Sequence, residues 1–231
     1  MTTSGTTAFN LDLTDLVEEA YERVGSELRT GYDLKTARRS LDLMFANWAN
    51  RGVNMWTFEQ GTIPMVAGQA TYDLPLDTVD LLEHVIRTGA GNASTQADLT
   101  ISRISVSTYA TIPNKLQQAR PIQVFIERLE QPTITVWPVP DGSQTYTFVY
   151  WRMRRVEDAG TGVNTMDVPF RFYEAMVAGL SYHLALKVPN GLERLQVLKA
   201  QYDEAWDLAS TEDREKAPVR WVPRPMFIGT V

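Results

Sequence analysis

The apolar positions of the chain change period twice, and those changes divide it. From residue 13 they fall at Leu13, Leu16, Val17, Ala20, Tyr21 and Val24. This i, i+3, i+4, i+7 spacing is one face of an α-helix. Asp12 or Asn10 can cap its start, and Asp15, Glu18 and Glu19 suit the positive end of the helix dipole. Gly31 reads as its stop. Asp33 then reads as a second cap before the stripe Leu34, Ala37, Leu41, Met44, Phe45 and Trp48, which Gly52 ends. A short loop between two helices predicts antiparallel packing.

After Trp56 the period shortens. Residues 57–158 are rich in Thr, Val, Ile, Tyr and Pro, broken by turn signals at Gly68, Pro75, Gly89 to Gly91, Pro113-Asn114, Pro121 and Pro140-Asp141-Gly142. Such punctuation predicts short strands. Residues 98–107 and 122–128 read as two of them. Residues 133–137 and 146–151 read as a hairpin around Pro138 to Gly142. Tyr146, Phe148 and Tyr150 share one face of the second strand, with Val149 and Trp151 on the other. Two apolar faces predict a strand covered on both sides.

Helical spacing returns beyond Gly160. Pro169 suits a first turn, and Tyr173, Met176, Val177, Leu180 and Leu184 form a stripe that Pro189-Asn190-Gly191 stops. A last stripe carries Leu195, Leu198, Tyr202, Ala205, Trp206 and Ala209. Residues 217–231 hold three prolines, two arginines and no acid, and cannot continue a helix. The predicted fold is therefore α+β. A four-helix module in two halves (1–56 and 166–216) encloses an antiparallel β-domain (57–165), and an extended C-terminal tail (217–231) follows.

With 44% hydrophobic and 22% charged residues in 231, the chain can build its own core. It contains no cysteine, which removes disulfides and thiolate metal sites. The first ten residues lack the charged start and apolar run of a signal peptide, and no stretch approaches the ~20 apolar residues of a membrane span. A protein made in the cytoplasm is expected.

Candidate chemistry is sparse. The two histidines, His84 and His183, have no second ligand at metal spacing and read as structural. The sequence has no G-x-S-x-G elbow, Walker loop or G-x-G-x-x-G. Gly89-Ala90-Gly91 leads into no apolar helix and reads as a loop. The carboxylates Asp73, Asp77, Asp80 and Glu83 read as a solvated edge, since spacing alone does not make the fixed acid pair a glycosidase needs. No catalytic residue, metal or cofactor is assigned.

Charge adds two readings. The net charge is −6, unlike that of a protein that grips nucleic acid. Residues 58–99 balance at −5 and residues 100–155 at +4. Opposite patches on one domain suit head-to-tail association between copies, but they equally suit pairing within the sheet. Arg152, Arg154 and Arg155 beside Tyr150 and Trp151 mimic a sequence-independent nucleic-acid patch, against the acidic balance elsewhere. In the tail, Trp221, Met226, Phe227 and Ile228 need a cover, and Arg220 and Arg224 can meet carboxylates. These six are the candidate partner-binding residues.

The order of elements, together with several local runs, resembles the head-to-tail adaptor (tail tubular or head-completion) proteins of podovirus-type bacteriophages. The runs are Leu16 to Gly25, Thr36 to Gly52, Tyr72-Asp73-Leu74-Pro75, Ile101-Ser102-Arg103, Trp137-Pro138-Val139-Pro140-Asp141 and Val168-Pro169-Phe170-Arg171. The resemblance covers residues 11–209. It implies a non-enzymatic virion protein of the neck, in a ring (dodecameric in the family) between the portal protein and the tail nozzle protein. Such a ring extends the channel through which genomic DNA passes without specific binding. It also implies that the tail reaches the portal. An acidic channel wall suits DNA that must slide. The rival readings are another neck or tail component, a wall-degrading enzyme and a small nucleic-acid-binding module.

Overall fold

The structure is a computed structural model that describes residue 5 and residues 11–29, 31–51, 55–161, 165–189 and 191–213. The fold is α+β, with five α-helices and two four-stranded sheets among these residues.

Helix α1 spans Leu13–Val24, with all six residues of the predicted stripe buried. Asp12 caps it, its Oδ1 accepting from Asp15 N at 2.9 Å. The stop is Gly25, not Gly31. Gly25 adopts φ +86°, a left-handed conformation that a side chain disfavours, and its N–H returns to the Tyr21 and Glu22 carbonyls. Gly31 instead opens helix α2, Gly31–Asn50, in which Ala37, Leu41, Met44, Phe45 and Trp48 are buried. Asp33 sits in its first turn, where its carboxylate accepts from Arg29 N at 3.2 Å.

Pro169 precedes one 3-10 turn, Phe170–Phe172, which runs into helix α4, Tyr173–Ala185. Helix α4 is apolar almost all round, from Ala175 to Ala185, as a central helix should be. Helices α1 and α2 both lie against it, as does helix α5, Leu195–Glu212. One core joins α1, α2, α4 and α5; the rings of the buried Trp48 and Phe172 cluster in it with that of the half-buried Trp206.

The remaining helix, α3 (Val106–Ala110), belongs to the β-region. There, β1 (Phe58–Pro64), β8 (Tyr146–Arg154), β3 (Thr78–Thr88) and β4 (Ala97–Thr100) form one antiparallel sheet in the order β1-β8-β3-β4. The strands β2 (Thr71–Asp73), β7 (Thr133–Trp137), β6 (Gln123–Glu127) and β5 (Ser102–Ile104) form the second, in the order β2-β7-β6-β5, with β5 parallel to β6. The two pack face to face. Leu81, Ile86, Tyr146, Phe148 and Tyr150 of the first meet Tyr72, Val124, Ile126, Ile134 and Val136 of the second.

This topology corrects two expectations. The run 98–107 is not one strand: β4 and β5 belong to different sheets, and Ser105 caps α3 beyond them. Nor do β7 and β8 pair as a hairpin. Their connection is held elsewhere, because Val139 N donates to Gln117 O, and Ala119 N to Val139 O, both at 2.9 Å. The chain is thus drawn away from a tight turn and crosses to the other sheet. Within β8 the predicted faces hold: Tyr146, Phe148 and Tyr150 point into the sandwich, Val149 is buried on the opposite face, and Trp151 beside it stays 36% exposed.

Candidate functional site

A polar cluster lies where β8 leaves the sandwich for the helical core. Arg152 is an inward-facing position two residues beyond Tyr150, and its side chain is only 8% exposed. A buried guanidinium needs partners for both its charge and its N–H groups. It donates to Asp77 Oδ1 at 2.5 Å, Thr78 Oγ1 at 2.9 Å and Glu59 Oε2 at 2.7 Å, so three strands or strand ends meet on it. For Asp77, burial raises the carboxyl pKa, but the hydrogen bond and charge of Arg152 outweigh it and hold the group below its ordinary value. For Arg152, burial disfavours the cation, and the two carboxylates more than restore it.

The next arginines continue the seam. Arg154 forms a two-pronged pair with Asp167, and Arg155 donates to the carbonyl of Leu76. The strand then feeds the helical core directly: Ala159 is buried there with Met166 and Val168, and its N–H reaches Asp42 of α2 at 2.9 Å. Trp56, Phe58, Glu59 and Asp77 share a cleft of about 710 Å³ with these arginines. The three arginines that mimicked a nucleic-acid patch are therefore committed to holding strands and helices together.

The same holds for most of the charge contrast. Of the acids in residues 58–99, Glu59 and Asp77 pair with Arg152, Asp80 with Arg103 and Arg128, and Asp98 with Arg87. Pairing within and between the two sheets absorbs these charges. Asp73 and Glu83 have no ion pair among the described residues.

Both histidines lie against aromatic rings. His84 stacks on Phe148 with 6.0 Å between ring centroids. Burial lowers its pKa; the Glu83 charge opposes this, and the Arg103 charge adds to it. His183, edge-on to Tyr182, is lowered by burial and by the Lys187 and Arg51 charges. Among the described residues, no group of three or more metal-ligating side chains comes together, and no helix is long and apolar enough to cross a membrane.

The sequence reading missed a set of unneutralised charges on the helices. Lys35, Arg38 and Arg39 of α2 and Lys187 after α4 have no carboxylate partner among the described residues. Lys187 Nζ donates to Ser40 Oγ at 2.7 Å, and burial together with Arg39 lowers its pKa. The i, i+4 spacing of Lys35 and Arg39 was the available signal. The six tail candidates, Arg220, Trp221, Arg224, Met226, Phe227 and Ile228, lie outside the described residues.

Residues 11–222 match the SU10 adaptor protein family, so the chain belongs to that family of phage head-to-tail adaptors. No curated protein matches it.

Proposed function

We propose that the chain is a ring-forming adaptor that docks on the portal vertex, extends the DNA channel and offers the attachment surface for the tail nozzle. The observation that carries this reading is the family match across nearly the whole described fold, residues 11–222. The role requires assembly and no bond-making step, so we read the protein as non-enzymatic and without a cofactor. It is made in the host cytoplasm and ends in the neck of the virion, away from any membrane. Its partners are further copies of itself in a ring, dodecameric by resemblance, the portal protein and the nozzle protein. Genomic DNA passes through the channel without specific binding.

In this reading the parts divide the labour. The helical halves, 1–56 and 166–216, and the β-domain, 57–165, form the ring wall. The tail, 217–231, orders against the portal, with Arg220 and Arg224 meeting carboxylates and Trp221, Met226, Phe227 and Ile228 entering apolar pockets. Ordering costs chain entropy, which apolar burial offsets. Mixing the protein with the portal of its own phage and imaging the product by electron microscopy tests the reading. An added ring supports it, and a bare portal overturns it.

A further inference from the structure

The outward faces of two helices carry opposite charge next to exposed leucine. On α2, Lys35, Arg39 and Leu43 recur every four residues and form one ridge. Both cations lack a carboxylate partner among the described residues, and Leu43 is 69% exposed. On α5, Glu204 and Leu208 lie on one ridge with Asp207 beside them. Neither acid has an ion partner among the described residues, and Leu208 is 68% exposed. Among the described residues, the two faces do not pair with each other.

We infer that α2 of one copy packs along α5 of the next, with Lys35, Arg39 and Leu43 against Glu204, Asp207 and Leu208. This contact rests on the ring reading and names the surface that closes it. The sign of the charges selects the geometry. A two-fold contact of α2 with α2 would set cations against cations, and α5 with α5 would set acids against acids; both are disfavoured. Only the unlike pairing satisfies both faces, and unlike pairing is heterologous, the type that propagates around a ring. Helix α1 also presents acids, Glu18 and Glu22, but no large apolar side chain is exposed on it, whereas α5 adds Val197 at 61% exposure. The leucines therefore favour α5 as the acidic partner.

Because the chain has no cysteine, the contact can be trapped directly. Full-length Leu43→Cys/Leu208→Cys protein, assembled on its portal and oxidised, should run as a ladder of multimers under denaturing conditions, and each single variant should stay monomeric. Charge reversal gives the second arm. Lys35→Glu/Arg39→Glu and Glu204→Lys/Asp207→Lys should each weaken self-assembly by roughly tenfold or more. An equimolar mixture of the two should recover alternating rings, which misfolded chains could not do. Glu18→Lys/Glu22→Lys should assemble like the unaltered protein. Rings from the unaltered chain with no ladder from the double cysteine variant would overturn this contact and leave the ring reading standing. Disulfide dimers from either single variant would replace it with a two-fold contact. Failure of the unaltered chain to form any ring would remove the ring reading and this contact with it.

Discussion

Trp48 and Tyr202 are 154 residues apart in sequence and joined in the helical core, where the Trp48 indole N–H donates to the Tyr202 hydroxyl at 2.8 Å with both side chains buried. The whole β-region lies between them in the chain. The bond therefore ties the first pair of helices to the last across that insertion. Tyr202→Phe should keep the packing and strand the indole donor. The expected loss is about 1–3 kcal/mol in chemical denaturation. Trp48→Ala would also open a large cavity and should cost more, about 3–5 kcal/mol.

Close approach of helices gives the second prediction. A Cβ on Gly179 of α4 would stand 2.5 Å from Met44 Sδ and 2.8 Å from Tyr202 Cε2. Gly179→Ala gains about 1 kcal/mol of helix propensity. It must displace side chains of both neighbouring helices, at about 1–3 kcal/mol. The net should be destabilising, read as a lower denaturation midpoint. Met44→Ala in the same chain makes room for the Cβ, so the added cost of Gly179→Ala should shrink in that background.

At the Arg152 seam the two sides should respond unequally. Arg152→Met leaves Glu59 and Asp77, whose side chains are 50% and 44% exposed and can rehydrate. The loss should be about 1–2 kcal/mol. Glu59→Gln with Asp77→Asn leaves a guanidinium that is 8% exposed without a counter-charge, and should cost about 2–4 kcal/mol. Equal losses would mean that the arginine is not held as a buried cation.

Acid should weaken the fold in two stages. His84 and His183 both have lowered pKa values in the folded chain, chiefly through burial. Below the unfolded value of about 6.5, the unfolded chain binds protons that the folded one resists, so stability falls as pH falls through that region toward the folded values. His84→Phe should flatten part of this slope. Asp77 is also lowered when folded. Its contribution is present above the unfolded value of about 3.9 and is lost as pH falls further, through the folded value. Asp77→Asn should remove that second loss. Denaturation midpoints measured from pH 8 to pH 3 check both.

Much of the helical region was legible because burial follows a 3.6-residue period there. The stripe of α1 coincides with its buried residues, that of α2 does so from Ala37 to Trp48, and in α5 Leu198, Tyr202 and Ala209 are buried while Leu195, Ala205 and Trp206 pack half-buried against the core. Gly31 misled because two glycines flank one short loop, and only backbone conformation distinguishes the left-handed Gly25 from a glycine that opens a helix. The β-sandwich was legible in composition but not in pairing. Adjacent strands around Pro140-Asp141-Gly142 suggest a hairpin, and nothing local reveals that Val139 is bound to residues 117–119. Charge was ambiguous for a related reason. The contrast between residues 58–99 and 100–155 is real, yet Glu59, Asp77 and Asp80 of the first meet Arg152 and Arg103 of the second through strands distant in sequence, within one sheet and between the two. The exposed cations of α2 and acids of α5 drew less notice, because they are few and lie in separate parts of the chain.

The proposed role requires this chain to build a ring on a portal and its tail to engage that portal. Full-length protein, and separately protein truncated after Ala217, can be added to the portal of the same phage, with mass photometry and electron microscopy as readouts. The full-length chain should add a ring, and the truncation none or far less. A full ring from both would contradict the role of the tail, and no ring from either would contradict the adaptor reading itself.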